Sequence, residues 1–138
     1  MDVKYLTFEE VVQLHDLLCF LYGGTTEILN RDAIDSALAQ PPMGMFGNEF
    51  HPTLYSKAAA YCYYLCLNHG FLDGNKRAAV GAAFHFLRKN GLRPACSQDA
   101  LYDAVMRVIE HHCTVEELAA VLEGVPYAPP DATGQGEE

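Results

Sequence analysis

Residues 52–91 read PTLYSKAAAYCYYLCLNHGFLDGNKRAAVGAAFHFLRKNG, two apolar segments joined by a short break that contains two glycines. In both segments apolar residues recur at helical spacing and occupy almost every face. The pattern predicts one helix from Pro52, a favourable first residue, to about Asn68 and another from about Asn75 to Asn90. Because a helix that is apolar all round is a buried one, these two helices are expected to form the centre of the protein.

Helices are also predicted before this pair. Thr7–Glu10 has the pattern of a capping box, and the helix that it opens ends at Gly23-Gly24. His15 lies on an otherwise apolar face of that helix, which favours a buried or partner-facing histidine over a metal ligand. A short helix from about Asp32 to Gln40 ends at two prolines. Residues 41–51 have no sustained period, which predicts an exposed loop and leaves a small hairpin possible there.

Two further helices are predicted after the central pair. One begins at Ser97 or Asp99 and ends near His112. A second capping box, Thr114–Glu117, opens the last helix, which ends at Gly124. Because no stretch alternates apolar and polar residues for long enough to form a sheet, the sequence predicts an all-α fold.

Length and composition predict a single domain. The chain has 138 residues, of which 50% are hydrophobic, enough for a core without disulfides or a structural metal. The domain is expected to cover residues 1–125, because Pro, Gly, Asp and Glu dominate residues 126–138 and predict a disordered acidic tail. Acidic residues outnumber Lys and Arg by 18 to 9, which argues against a nucleic-acid partner.

Targeting signals are not apparent in the sequence. It contains no apolar run of about 18 residues, the length that a membrane-spanning helix needs. Residues 1–4 lack the positive flank of a signal peptide. We therefore expect a cytoplasmic protein with no membrane partner, whose five scattered cysteines are reduced and buried as small apolar side chains.

The motif segment, His69–Arg77, joins the central helices and carries residue types that a plain connector does not need. Histidine can accept a proton from a hydroxyl near neutral pH, which makes His69 a candidate general base. The Asp73 carboxylate offers the hard oxygen ligands that Mg²⁺ takes together with substrate phosphates. Gly74 allows a tight turn, so that backbone amides of residues 74–77 can converge on an anion.

Two cations, Lys76 and Arg77, fall in the first turn of the second central helix. The helix dipole disfavours a cation there by about 0.3–1 kcal/mol, so their presence indicates a bound anion. Five of the nine Lys and Arg residues lie between residues 76 and 93, and Asp73 is the only acid from residue 73 to residue 93. The segment thus predicts a phosphate site with a general base, and the alternative is a solvated loop.

The pattern His-x-Phe-x-Asp-Gly-Asn-Lys-Arg resembles the signature of Fic-domain proteins, and in particular of their Doc (death on curing) branch. Most Fic proteins have Gly where this chain has Lys76, and a second Arg where it has Val80. Both departures are typical of the Doc branch. The resemblance extends over about residues 7–124 and implies a compact Fic-like helical bundle, with the motif between two buried central helices.

The resemblance implies a role for each residue of the motif. His69 would be the catalytic base, Asp73 would hold Mg²⁺ against the phosphates of ATP, and Phe71 would anchor the loop in the core. The phosphate-binding residues would be Gly74, Asn75, Lys76 and Arg77. Residues 43–51 would form a flap that aligns the target beside His69.

The implied function is that of a Doc-type toxin of a toxin–antitoxin pair. It would be a protein Ser/Thr kinase that transfers the γ-phosphoryl group of ATP to a translation factor resembling elongation factor Tu, and so arrests growth. Two alternatives stand beside it: a Fic-type nucleotidyltransferase that attaches AMP, and a non-catalytic helical binding module. Lys76 and Val80 favour the kinase over the nucleotidyltransferase, and the intact motif argues against the binding module.

A means of control is expected from a partner. Many Fic proteins carry an inhibitory helix with Ser or Thr four residues before a Glu that precedes Gly or Asn. Here the only such Glu is Glu123, and residue 119 is Ala. The resemblance therefore implies a small antitoxin whose disordered segment folds as a helix into an apolar groove beside the motif, lined partly by the first helix.

Overall fold

The computed structural model describes residues 2–127, in which six α-helices and one two-stranded hairpin confirm the all-α class. The elements are α1 (Phe8–Tyr22), α2 (Arg31–Ala39), β1 (Gly44–Met45), β2 (Asn48–Glu49), α3 (Leu54–Asn68), α4 (Asn75–Lys89), α5 (Gln98–Ile109) and α6 (Val115–Glu123). Of the acidic tail predicted for residues 126–138, all but the first two residues lie outside the described range. Among the described helices, none is long and apolar enough to cross a membrane.

Helices α3 and α4 form the centre of the fold, as predicted. They pack against each other, with α2, α5 and α6 around α3 and with α1 and α5 against α4. Both helices carry fully buried small residues, which let neighbouring helices approach closely: Ala58, Ala59, Ala60, Ala78, Ala79, Ala82 and Ala83. The motif loop, residues 69–74, connects the ends of these two helices and is therefore held from both sides by the core.

The helix ends agree with the sequence predictions to within a few residues. Thr7 and Glu10 form the predicted reciprocal capping box at the start of α1. Pro52 is not the first residue of α3, because Thr53 caps that helix and exchanges hydrogen bonds with Ser56. The predicted box at Thr114 is only half formed: Thr114 accepts from the Glu117 amide, but the Glu117 carboxylate pairs with Arg107 of α5.

Residues 41–51 form the small hairpin that the sequence left possible. Strands β1 and β2 pair antiparallel and are exposed. Lys57 of α3 is buried beneath them, donates to the backbone carbonyls of Pro41 and His51, and pairs with the Glu49 carboxylate. One buried ammonium therefore holds both ends of the hairpin segment against α3.

Candidate active site

The motif loop is tied to the segment between α1 and α2. The amides of Leu29 and Asn30 both donate to the Gly70 carbonyl at 2.9 Å, and the Leu72 amide donates to the Glu27 carbonyl at 3.0 Å. Gly70 itself is packed so tightly that a Cβ there would collide with the Ile34 side chain. These contacts fix the backbone position of the motif loop relative to the segment between α1 and α2.

Phe71 and Asn75 close the loop on itself. The Phe71 ring is buried, with 1% of the residue exposed. The Asn75 side chain accepts from the Phe71 amide at 3.0 Å and donates to the Phe71 carbonyl at 2.9 Å. Asn75 was predicted to bind phosphate; its side-chain amide is engaged with the Phe71 backbone, and its backbone N–H lies in the first turn of α4.

His69 is the residue that ends α3, and it lies exposed at the start of the loop. Its backbone is left-handed, with φ 52° and ψ 53°. Non-glycine residues with a positive φ are uncommon. Residues held in such sparsely populated backbone conformations concentrate at functional sites. The exposed imidazole is accessible to a large substrate, as a base that acts on a protein hydroxyl must be.

The N-terminus of α4 is open toward an anion. Gly74 caps the helix in the left-handed conformation, with φ 78°, and offers no side chain to the first amides. The first intrahelical bond from this turn runs from the Ala78 amide to the Gly74 carbonyl, which leaves the amides of residues 75–77 pointing out of the helix end. No acidic residue lies in this first turn, so the positive end of the helix dipole is unbalanced there.

Asp73, Gly74 and Arg77 line one small cavity of about 190 Å³, closed on its other side by the end of α1. We call it the Asp73 cavity; its remaining walls are His15, Leu18, Cys19, Tyr22, Gly23 and Gly24. The Asp73 carboxylate lies against the Gly24 backbone, where a Cβ would come within 2.7 Å of Oδ2. A carboxylate, a guanidinium and a free helix N-terminus thus meet at one place.

Arg77 and Lys76 point to different sides of α4. The Arg77 guanidinium lies over the Tyr22 ring of α1, 4.4 Å from its centroid. Lys76 is half-buried on the side of α3, where burial raises the pKa of the Cys66 thiol and the Lys76 ammonium partly opposes that rise. Arg77 therefore lines the Asp73 cavity, whereas Lys76 and His69 are not among its walls.

The cavity also contains a thiol that stays protonated. Burial raises the pKa of Cys19, and the carboxylates of Asp73 and Asp16 raise it further. The Cys19 thiol donates to the Thr25 carbonyl, with Sγ and the oxygen 3.3 Å apart. Cys19 therefore adds no negative charge to a site that would receive phosphate.

Six wall residues of the Asp73 cavity had no site role in the sequence analysis: His15, Leu18, Cys19, Tyr22, Gly23 and Gly24. His15 is fully buried, which confirms its prediction as a core histidine, but it lies beneath the motif loop. Tyr22 and Gly24 stand at the end of α1, and the Gly23-Gly24 pair was interpreted only as a helix stop. The double glycine is the feature of the sequence that is consistent with a close approach of another backbone there.

The comparisons with known proteins show the family to which the chain belongs. Residues 5–87 match the Fic/DOC family, and the chain belongs to that family. It is 33% identical over 127 residues to Toxin Doc of Mycolicibacterium smegmatis, a match that covers 91% of this chain and 95% of that protein. It is 28% identical over 91 residues to Protein kinase doc of Escherichia phage P1, over 66% of this chain and 71% of that protein. The predicted resemblance to the Doc branch is confirmed, and these relatives support a Doc-type toxin with transferase activity.

Proposed function

We propose that this protein is a Doc-type toxin that transfers the γ-phosphoryl group of ATP to a Ser or Thr hydroxyl of a target protein in the cytoplasm. The observation that carries the proposal is the convergence of Asp73, Gly74 and Arg77 on one cavity at the open N-terminus of α4. Phosphoryl transfer requires mainly positioning and neutralisation of phosphate charge, which these groups supply. A relative named Protein kinase doc adds support.

The phosphate-binding groups are proposed from charge and position. Arg77 would pair with phosphate oxygens, and the backbone amides of residues 75–77 would donate to them. Lys76 would add charge from the α3 side of the same helix end. The exposed Asp73 carboxylate suits Mg²⁺, which is held in proteins by one or two carboxylates together with substrate phosphates. When bound, the ion would neutralise charge that develops on the transferred group.

His69 would act as the general base. Its imidazole takes the proton of the target hydroxyl as the hydroxyl oxygen forms a bond to the γ-phosphorus. The bond from the γ-phosphorus to the oxygen that bridges to the β-phosphate breaks, and ADP leaves with that electron pair. The target would be a translation factor resembling elongation factor Tu, and its modification would stop growth.

The γ-phosphoryl reaction is favoured over nucleotidyl transfer by two residues. Lys76 occupies the position where nucleotidyl-transferring Fic proteins have Gly, and it places a cation on the α3 side of the helix end, outside the Asp73 cavity. Val80, at the position of the family's second Arg, is buried in α4 and offers no charge. We therefore propose that the γ-phosphate, and not the α-phosphate, is the group presented to the target hydroxyl.

We expect label from [γ-³²P]ATP, and not from [α-³²P]ATP, to appear on a Ser or Thr of a target protein when the purified protein is incubated with a cell lysate and Mg²⁺. Chelation of Mg²⁺ should abolish the signal. Transfer of the α-label would replace the kinase proposal with nucleotidyl transfer, and transfer of neither label would favour a binding module.

Control by an antitoxin is proposed for a second, larger groove. Helices α1, α4 and α5 enclose about 780 Å³ beside the site. Its apolar floor includes Leu14, Leu17, Leu18, Val80 and Phe84, and Arg77 and Tyr22 form the end that it shares with the Asp73 cavity. A short antitoxin whose disordered segment folds as a helix in this α1/α4 groove would repay its ordering entropy there and lie beside the phosphate site.

Leu17→Asp is expected to reduce copurification with the product of the neighbouring short open reading frame by at least about tenfold, because it places a charge in the apolar groove. Leu17 is 53% exposed, so the free protein should fold normally. Phe20→Asp is the matched control, since Phe20 lies on the same helix, is 84% exposed and is not among the groove walls. Equal loss with both variants, or a chain that is harmless alone and binds no such partner, would contradict the antitoxin proposal.

A further inference from the structure

We propose that His15 is a positioning residue, which fixes the Asp73–Gly74 peptide of the site through a hydrogen bond from its buried imidazole. The inference rests on the proposed function for its catalytic consequence, though not for its geometry. His15 belongs to α1, and Asp73 lies 58 residues further along the chain. Nothing in the chemistry described so far requires a histidine at this place.

His15 contacts the motif loop at three successive points. Its ring is fully buried and stacks on the Phe71 ring, with centroids 3.7 Å apart and an interplanar angle of 9°. Its Nε2 atom lies 2.6 Å from the Asp73 carbonyl oxygen. A Cβ built on Gly74 would lie 3.2 Å from the same nitrogen. The imidazole therefore packs beneath the part of the motif loop that leads into α4.

The bond has a defined direction. A carbonyl oxygen only accepts, so Nε2 carries the proton and donates it to Asp73. The other ring nitrogen, Nδ1, lies 3.9 Å from Cys19 Sγ, whose own proton is directed to the Thr25 carbonyl. The short hydrogen bond of His15 is therefore the one that its Nε2 atom donates to the Asp73 carbonyl of the motif loop.

The Asp73 carbonyl belongs to the peptide that joins the metal-binding candidate to the cap of α4. If this peptide rotates, the Asp73 carboxylate and the left-handed Gly74 move together, and the amides that follow Gly74 change direction. A ring without a donor could still stack on Phe71, but it would leave the partly buried Asp73 carbonyl without this hydrogen-bond donor. Packing and positioning can therefore be separated by the choice of substitution.

Two variants make the separation. His15→Phe keeps a ring against Phe71 and removes the donor, whereas His15→Gln loses the ring and keeps an amide N–H at a similar reach. We expect His15→Phe to raise the Mg²⁺ concentration for half-maximal ATP binding by about tenfold, as loss of one buried hydrogen bond allows. His15→Gln should stay within about threefold of the wild type. A purely structural role predicts the opposite order, because the ring supplies most of the packing.

Hydrogen exchange of the unliganded protein decides the claim without any activity. The Ala78 amide, which bonds to the Gly74 carbonyl, should exchange about tenfold faster in His15→Phe and at nearly the wild-type rate in His15→Gln, with Phe84 in the middle of α4 as the reference for global stability. Equal rates at Ala78 in all three proteins, or changes that merely follow Phe84, would overturn the inference. If the wild type neither binds ATP nor transfers phosphate, the proposed function fails while this exchange result still stands.

Discussion

His69→Ala is expected to reduce phosphoryl transfer to the target by about 10²–10⁴-fold, the usual effect of removing a general base. His69 is exposed and ends α3, so its removal should change the free energy of unfolding by no more than about 0.5 kcal/mol. The measurement is the initial rate of γ-label incorporation at saturating ATP, with urea unfolding of the same preparation. His112→Ala, which alters an exposed histidine after α5, is the control and should transfer at the wild-type rate.

The same variant separates catalysis from binding in cells. If phosphoryl transfer causes growth arrest, cells that express His69→Ala should grow normally at a protein level at which the wild type arrests them. Toxicity that survives the substitution would mean that the harm comes from binding, and it would favour the non-catalytic module.

Asp73→Asn is expected to lower the transfer rate by about 10²-fold or more, because the charge stabilisation that a metal supplies to a transferred phosphoryl group is worth several kcal/mol. The Mg²⁺ dependence of ATP binding is the more specific test of the metal assignment. Loss of the carboxylate should weaken ATP binding in the presence of Mg²⁺, yet leave it unchanged or tighter in EDTA, where a negative charge beside the phosphates has been removed.

Calorimetric titration with ATP, with and without Mg²⁺, measures both effects. Asp103→Asn removes an exposed carboxylate from α5 and should leave the Mg²⁺ dependence as it is in the wild type. An unchanged Mg²⁺ dependence in Asp73→Asn would show that the carboxylate does not hold the ion and that the metal assignment is wrong.

The helices and the motif could be predicted because their signals are local. A capping hydroxyl such as Thr7, the amide that it accepts from and the apolar repeat that follows are all within a few residues of one another. The same local rule misled at Glu117, where a partner in α5, Arg107, takes the carboxylate that the pattern assigned to the cap. Lys57 was missed for a related reason, since its acceptors come from a hairpin segment whose return to α3 has no local signal.

The sequence names candidate residues for the site but does not specify how they are arranged. Adjacent positions on a helix point about 100° apart, so Lys76 and Arg77 face different neighbours although the sequence places them side by side. His15 and Gly24 also line the Asp73 cavity, although they are far from the motif in the sequence. They reach it because the α1 region packs against the motif loop. Such contacts depend on how the helices pack, which no spacing rule specifies.

We propose that the motif of this chain transfers a phosphoryl group to a protein hydroxyl. The most direct measurement is the intact mass of the target protein, recovered after reaction with Mg²⁺-ATP and either the wild type or His69→Ala. We expect an increase equal to one phosphoryl group with the wild type and no increase with His69→Ala. An increase equal to a nucleotidyl group, or a phosphoryl increase that is the same with both proteins, would contradict it.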